Sequence, residues 1–359
     1  MRARLRDVGE GIGALRPGPA NAITDVPEVL VGHATVIRDE PAVVRSGVTM
    51  VVPRDGGIWK DYAYAGSFVF NGNGEMTGLP WLEESGMLGS PVGITSTFQV
   101  GLVRDFLAKE SVRVGVVEDF MLPVVGETWD GWLSDGTTFP LTDSDAESAL
   151  RAAAGGEVTE GAVGGGTGMI CHEFKSGIGT SSRVVEILGA DYTVGVLVQS
   201  NYGAREDLRI GGVSCGPMID TNSVPSPWET APNGGSIIVV IATDAPILPG
   251  QCRRLARRAT VGVARTGGYG HDSSGDLFLA FSTGNHLQER PGRLREVASL
   301  PNEEMDPLFH AVADATEESI VNALFAAQTM TGQQGRIAHQ IPLDRVKEIL
   351  DQHRAAAVD

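Results

Sequence analysis

The stretch that decides the fold is Gly235-Ser236-Ile-Ile-Val-Val-Ile-Ala-Thr-Asp-Ala-Pro246, an almost unbroken run of β-branched and small apolar residues. A run without a polar face is typical of a strand that is buried on both faces of a sheet. It directly follows residues 222–235, Asn-Ser-Val-Pro-Ser-Pro-Trp-Glu-Thr-Ala-Pro-Asn-Gly-Gly, whose Pro, Ser and Gly content predicts an exposed connector. A serine therefore opens a core strand at the end of a loose linker.

Periodic apolar patterns predict strands and helices on both sides of this junction. The predicted strands cover residues 29–37, 48–52, 67–70, 112–117, 192–200, 208–213 and 277–282. The predicted helices cover residues 100–109, 143–154, 255–263, 307–327 and 343–353, and the stretch around Glu127 is predicted to be irregular. Strands cluster in both halves with helices after each cluster, which favours an α/β (α+β) fold of two packed sheets with helices outside.

The composition argues against several classes of protein. The 359 residues include 28 Lys and Arg against 45 Asp and Glu, a net charge of −17, whereas a nucleic-acid surface needs clustered cations. Seven histidines without HExxH or HxH spacing predict no metal site, and three cysteines without a CxxC pair favour a reducing compartment. The amino end lacks a signal-peptide pattern, and no apolar run is long enough to cross a bilayer. We therefore expect a cytoplasmic protein.

The Gly-Gly-Ser junction that ends at Ser236 has the chemistry for self-cleavage. Glycine tolerates backbone angles that other residues avoid, so a strained peptide bond can be held there. Attack of the Ser236 hydroxyl on the Gly235 carbonyl would free an α-amine with a pKa of about 8, next to the hydroxyl that it could deprotonate. From these residues alone, a Gly-Gly turn before a core strand remains the alternative.

Further motifs lie in order along nearly the whole chain: Asn21-Ala-Ile-Thr-Asp-Val-Pro27, Val31-Gly-His33, Arg45-Ser-Gly-Val-Thr49, Phe70-Asn-Gly-Asn-Gly-Glu-Met-Thr-Gly78, Gly126-Glu-Thr-Trp-Asp-Gly131, Val198-Gln-Ser-Asn-Tyr-Gly203, Leu255-Ala-Arg-Arg258 and Ser274-Gly-Asp-Leu-Phe-Leu-Ala-Phe281. Together with the run from Gly235 to Pro246, they resemble the family of L-aminopeptidase/D-esterases and β-peptidyl aminopeptidases. These enzymes are self-processing N-terminal serine hydrolases.

The resemblance implies a four-layer αββα sandwich of the N-terminal-nucleophile type. Residues 1–359 would form a single domain, made of a larger fragment, residues 1–235, and a smaller fragment, residues 236–359. It also implies a homo-oligomer of these processed pairs. The expected enzyme is an aminopeptidase or amidase that needs no metal or cofactor and acts on small peptides, amides or esters with a free amino group. The preference among L-, D- and β-amino-terminal substrates stays open.

Carried over residue by residue, the resemblance implies Ser236 as the nucleophile of both self-cleavage and turnover. Ser274 and Asp276 would form a hydroxyl–carboxylate pair beside it, which orients the nucleophile or carries its proton. Asn201 would donate its side-chain amide to the oxyanion of the tetrahedral intermediate.

Two further residues are expected to bind the substrate. Glu127 would pair with its free ammonium group and so enforce aminopeptidase specificity. Trp129 stands where some relatives carry a Tyr hydroxyl as a second oxyanion donor. An indole N–H can donate a hydrogen bond but, unlike a Tyr hydroxyl, cannot accept one. The second oxyanion donor stays unassigned.

Other functions fit parts of the sequence. Ornithine acetyltransferases resemble this family in architecture and also self-cleave, but they use Thr where this chain has Ser236. A phosphate or nucleotide binder is suggested by the glycine-rich run Gly161–Gly168, which has neither a P-loop ending nor GxGxxG spacing. We expect that run to be a flexible loop near the active site. A conventional Ser-His-Asp hydrolase would need a GxSxG elbow, which is absent.

Overall fold

The computed structural model describes residues 3–115, 121–228, 235–288 and 293–356. The strands in this part of the chain are β1 (Leu30–Arg38), β2 (Val44–Val52), β3 (Asp61–Gly72), β4 (Met87–Leu88), β5 (Val92–Ser96), β6 (Val124–Thr128), β7 (Ile170–Cys171), β8 (Phe174–Lys175), β9 (Ile178–Ile187), β10 (Ala190–Asn201), β11 (Arg209–Ile210), β12 (Val213–Ser214), β13 (Gly235–Thr243), β14 (Ser274–Gln288), β15 (Met330–Thr331) and β16 (Ile337–Ala338). The α-helices are α1 (Leu79–Ser85), α2 (Val100–Arg113), α3 (Asp143–Arg151), α4 (Pro249–Arg265), α5 (Asp306–Ala326) and α6 (Leu343–Ala356).

Two mixed sheets lie face to face in the middle of the molecule. The smaller sheet has the strand order β1-β2-β5-β6, and the larger has the order β4-β3-β14-β13-β10-β9. Helices α2 and α3 cover the outer face of the smaller sheet, while α4 and α5 cover the outer face of the larger one. The layers therefore run helix, sheet, sheet, helix, and the predicted αββα fold class is confirmed.

Strand β13 contributes to two separate apolar layers. Ile238 and Val240 pack into the layer between the sheets, against Ile94 of the smaller sheet. Ile237 and Val239 point the other way and pack against α4 and α5. All four β13 side chains have no exposed surface, because successive residues of a strand point to opposite faces and both faces are covered. The strand predicted to be buried on both faces is thus confirmed.

The neighbours of β13 come from both sides of the Gly235–Ser236 bond. Strand β13 pairs antiparallel with β10, which precedes it in the chain, and parallel with β14, which follows it. Strand β14 in turn pairs with β3, far upstream. Residues before and after the junction are therefore hydrogen-bonded into one sheet.

Three local predictions were wrong. Residues 112–113, predicted to start a strand, end helix α2, while residues 116–120 lie outside the described part of the chain. The stretch predicted to be irregular around Glu127 contains β6, whose pairing with β5 supplies order that its short sequence does not signal. The single strand predicted over 208–213 is a hairpin of β11 and β12, because Gly211 and Gly212 both adopt positive φ and turn the chain.

The glycine-rich run Gly161–Gly168, predicted to be a flexible loop near the active site, reaches the cavity at Gly168 but is packed rather than loose. It is almost entirely buried and includes a turn of 3₁₀-helix at Gly164–Gly166. The N–H of Gly165 donates to the hydroxyl of Thr49 on β2, so the run is fixed against the smaller sheet. Of the predicted connector, residues 222–228 are turns and irregular backbone, and residues 229–234 lie outside the described part. No helix within the described ranges is long and apolar enough to span a membrane.

A buried ionic cluster joins the amino-terminal segment to α5. The carboxylate of Glu318 accepts hydrogen bonds from Arg6 at 2.8 and 2.9 Å, from Asn21 at 2.6 Å and from Arg183 at 2.6 Å. The side chains of Glu318 and Arg183 have no exposed surface. Burial by itself raises the pKa of Glu318, but the charge of Arg183 and these hydrogen bonds outweigh it and hold the pKa below its ordinary value.

Replacing Glu318 by Gln should lower the free energy of unfolding at neutral pH by about 3–5 kcal/mol, because Arg183 is left buried without its counter-charge. Glu348→Gln, which alters an exposed pair with Arg345, is the control and should change it by less than about 0.5 kcal/mol. Denaturant titration measures both. The difference between wild type and Glu318→Gln should shrink as the pH falls through the depressed pKa of Glu318. Equal stability of the two variants would contradict the assigned role of the cluster.

Candidate active site

Four of the residues predicted for the site line one cavity. The cavity has a volume of about 390 Å³ and lies at the start of β13. Its lining includes Ser236, Asn201, Glu127 and Trp129. The lining comes from both sheets, since Glu127 belongs to β6 and Asn201 to β10. Ser274 and Asp276 are not among the lining residues, but on β14 they lie opposite Gly235 and Ile237 of β13. The two-sheet sandwich thus brings together residues that are more than a hundred positions apart in the chain.

Ser236 is fixed from both sides. It lies opposite Asn201 on β10 and opposite Gly275 on β14, and 6% of its surface is exposed. Gly235, just before it, passes so close to β10 that a Cβ there would lie 2.5 Å from the Cα of Tyr202. A side chain larger than that of glycine therefore does not fit on the amino side of Ser236. Strand pairing thus fixes the backbone of Ser236 beside the cavity that this residue lines.

The amide of Asn201 has a defined orientation. Its Oδ1 accepts a hydrogen bond from the backbone N–H of Ile170 at 2.9 Å, and its Nδ2 donates to the backbone carbonyl of Trp129 at 3.0 Å. Because Ile170 offers a donor and Trp129 an acceptor, the oxygen and nitrogen cannot be exchanged. The second N–H bond of Nδ2 has no protein acceptor within the described residues. It is available to an oxygen atom bound in the cavity.

Ser274 and Asp276 form a buried hydroxyl–carboxylate pair. The Ser274 hydroxyl donates to Oδ1 of Asp276 at 2.6 Å, and Ser274 lies opposite Gly235 in the pairing of β14 with β13. Burial raises the pKa of Asp276 to about 6, an effect that the Ser274 hydrogen bond and the charge of His271 only partly offset. The pair therefore sits directly beside the Gly235–Ser236 bond and can change its protonation state near neutral pH.

Glu127 is a buried carboxylate without a cationic partner among the described residues. Its Oε1 accepts from the backbone N–H of Glu75 at 2.9 Å, and its Oε2 accepts from the hydroxyl of Thr97. Burial raises its pKa, and these two hydrogen bonds oppose that shift. Such a group favours a ligand that brings a positive charge into the cavity.

Trp129 reaches the cavity with a side chain that is 48% exposed, and its carbonyl fixes Asn201. The sequence did not point to Ile170 or Thr97. Ile170 acts through its backbone N–H, which no residue type signals, and Thr97 follows a strand in a stretch without a motif. No group of His, Cys, Asp and Glu in the described ranges is arranged to hold a metal ion.

Comparison with known proteins identifies the family. Residues 21–338 match the sequence model of peptidase family S58. The chain belongs to this family. The β-peptidyl aminopeptidase BapA of Sphingosinicella microcystinivorans is 44% identical over 371 aligned positions, which cover 99% of this chain and 93% of BapA.

Solved structures agree with this assignment. A β-aminopeptidase of Burkholderia sp. superposes on this chain with a TM-score of 0.92 at 45% identity. The match covers 98% of this chain and 99% of the other. The L-aminopeptidase D-Ala-esterase/amidase of Ochrobactrum anthropi, described as a variant of the Ntn hydrolase fold, gives a TM-score of 0.89 at 40% identity, over 98% of each chain.

The S58 peptidase is therefore a hydrolase, an N-terminal serine aminopeptidase/amidase with an N-terminal-nucleophile fold. The acetyltransferase alternative is not supported, because these relatives are peptidases. The nucleotide-binding alternative has no structural support either, since the glycine-rich run Gly161–Gly168 packs into the core.

Gly275, which lies opposite Ser236, has no room for a side chain. A Cβ there would lie 2.5 Å from the carbonyl oxygen of Asn73 and 2.7 Å from the Cα of Gly74. The loop that holds Glu75 against Glu127 would have to move. We expect Gly275→Ala to lower kcat/KM on an aminoacyl p-nitroanilide by about 10²-fold, because small displacements of reacting groups have large effects on rate.

Gly72→Ala is the matched control, because Gly72 lies opposite Gly275 and a Cβ there would approach only the Val69 side chain, at 3.8 Å. It should keep wild-type kcat/KM. Equal activity of the two variants would show that the site does not depend on this close approach.

Proposed function

We propose that the chain cuts itself between Gly235 and Ser236, and that the freed Ser236 then removes amino-terminal residues from small peptides, amides or esters. The larger fragment ends at Gly235 and the smaller begins at Ser236, and both stay in one domain. What supports this most is that Ser236, Asn201 and Glu127, whose carboxylate has no cationic partner in the described part of the chain, line the same cavity. A nucleophile, an oxyanion donor and an ammonium acceptor thus face one space.

In the proposed cycle, the substrate's ammonium group first pairs with Glu127. Burial raises the pKa of this carboxylate because it lacks a counter-charge, and an arriving cation favours its ionised form. The ammonium group thereby fixes the adjacent carbonyl over Ser236. Only residues with a free amino group meet this requirement, which is the physical basis of aminopeptidase specificity.

The chemical steps follow from the remaining groups. The Ser236 hydroxyl attacks the carbonyl carbon while its own α-amine takes the proton, and the free N–H of Asn201 Nδ2 donates to the oxyanion. Loss of one such donor typically costs about 10²–10³-fold in rate. Ser274 and Asp276 orient the proton transfer, the leaving amine departs with a proton, and water then resolves the acyl-enzyme.

The cavity wall suggests how the substrate side chain is accommodated. Trp129, Trp132 and Trp228 line it, and the rings of Trp132 and Trp228 meet edge to face at 5.6 Å. This surface suits an apolar side chain. The relatives named above are a β-peptidyl aminopeptidase, a β-aminopeptidase and an L-aminopeptidase. A panel of α- and β-aminoacyl p-nitroanilides separates these substrate preferences.

We also propose a cytoplasmic homo-oligomer of processed pairs. The free and buried state of Cys171, Cys215 and Cys252 fits a reducing compartment. The exposed apolar side chains of Trp81 and Leu122 line a groove of about 260 Å³, a feature common where subunits meet.

Ser236→Ala should remain one uncleaved chain of 37.8 kDa and should have no aminopeptidase activity, because the hydroxyl that attacks in both reactions is gone. A denaturing gel and a p-nitroanilide assay check the two expectations. Ser223→Ala, in the exposed connector, is the control and should be processed and active. Two fragments from Ser236→Ala would overturn the proposed mechanism.

The acid side of the pH profile should depend on Asp276. Because its pKa is raised to about 6, the carboxylate becomes protonated as the pH falls through that value, and kcat/KM should fall with it. Asp276→Asn should remove this limb and lower kcat by about 10²-fold. Asp272→Asn, exposed in the loop just before β14, should keep the wild-type profile. A limb near pH 6 that persists in Asp276→Asn would assign it to another group.

A further inference from the structure

Lys175 is a fully buried lysine outside the substrate cavity. Its ammonium group has no carboxylate partner among the described residues, and its Nζ donates to the carbonyl oxygens of Met169 and Ser176, each at 2.6 Å. Burial lowers its pKa to about 7. The charged and the neutral form of the Lys175 amine both carry at least two N–H groups, one for each of the two carbonyl acceptors. Burying an amine that can carry a charge costs free energy, so the burial of Lys175 at this place needs an explanation.

The two acceptors of Lys175 belong to a small hairpin that lies against the end of β10. The hairpin consists of β7 and β8, with Ile170 opposite Lys175. The N–H of Ser200 donates to Gly177 at 3.0 Å, and the N–H of His172 donates to Tyr202 at 2.7 Å. These two hydrogen bonds lie on either side of the hydrogen bond from Ile170 to Asn201. The hairpin is therefore the surface on which the Asn201 side chain is oriented.

The link from Lys175 to Asn201 passes through a single peptide group. The carbonyl of Met169 and the N–H of Ile170 belong to the same planar unit and point in opposite directions. The oxygen of this unit accepts hydrogen bonds from Lys175 Nζ at 2.6 Å and from the backbone N–H of Ser176 at 3.0 Å, while the N–H of Ile170 donates to Asn201 Oδ1 at 2.9 Å on the other side. A rotation of the peptide plane would lose all three hydrogen bonds at once.

We propose that Lys175 is a positioning residue for Asn201. Together with the backbone N–H of Ser176, it fixes the peptide plane between Met169 and Ile170 and so fixes the Asn201 amide, whose Nδ2 then presents its second N–H to the cavity. The hydrogen bond from Lys175 also polarises the peptide group and strengthens the bond that Ile170 donates. This inference rests on the proposed role of Asn201 in binding the oxyanion.

A double-mutant cycle tests the proposal with the full-length protein, after a denaturing gel has established the processing state of each variant. Lys175→Met removes both hydrogen bonds at nearly constant volume. It should lower kcat by about 10-fold or more and change KM by less than about 3-fold, because Asn201 acts on the transition state. In the Asn201→Ala background, Lys175→Met should have no further effect on kcat. Lys60→Met, at an exposed lysine, is the control and should leave kcat unchanged.

An unchanged kcat in Lys175→Met, or an equal loss in both backgrounds, would overturn the positioning role. If Lys175→Met does not fold, Lys175→Leu, which also lacks a donor, is taken through the same cycle and judged by the same two criteria. Wild-type kcat in Asn201→Ala would instead refute the proposed oxyanion donor. The two failures are therefore distinguishable.

Discussion

The site depends on the hydrogen bonding of β13 along both of its edges. Ser236 is the second residue of β13. The neighbouring strands β10 and β14 hold it opposite Asn201 and Gly275. A residue at a freed chain end is normally mobile, and a mobile nucleophile reacts poorly because orientation contributes much of the rate. Here the sheet fixes the residue on both sides, so breaking the bond before it can free an amine without freeing the side chain.

The second constraint is electrostatic. Glu127 and Asp276 are both buried near Ser236, and burial raises the pKa of each. The described residues provide no cationic partner for Glu127, and in the proposed cycle a substrate ammonium group would complete its charge balance. Asp276 instead faces the Ser274 hydroxyl beside the junction. Two carboxylates on opposite sheets can thus serve different purposes, because one lines the cavity and the other accepts from Ser274 beside the Gly235–Ser236 junction.

The sequence predicted what depends on local pattern. The β-branched run after Ser236 indicated a strand buried on both faces, and the collinear motifs indicated the sandwich and the six candidate residues. It did not indicate β6, which owes its order to pairing with β5. Nor did it reveal Ile170 or Lys175, since one acts through a backbone N–H and the other through carbonyl groups that only the fold brings within reach. The glycine-rich run suggested a flexible loop because glycine content does not distinguish mobile backbone from closely packed backbone.

Amino-terminal sequencing of the purified, active protein tests the central claim most directly. The account predicts a second amino terminus that reads Ser-Ile-Ile-Val-Val, beginning at Ser236, in an amount equal to that of the original terminus. Active protein that yields only the sequence from the start of the chain would contradict it, because the α-amine of Ser236 would then still be part of a peptide bond.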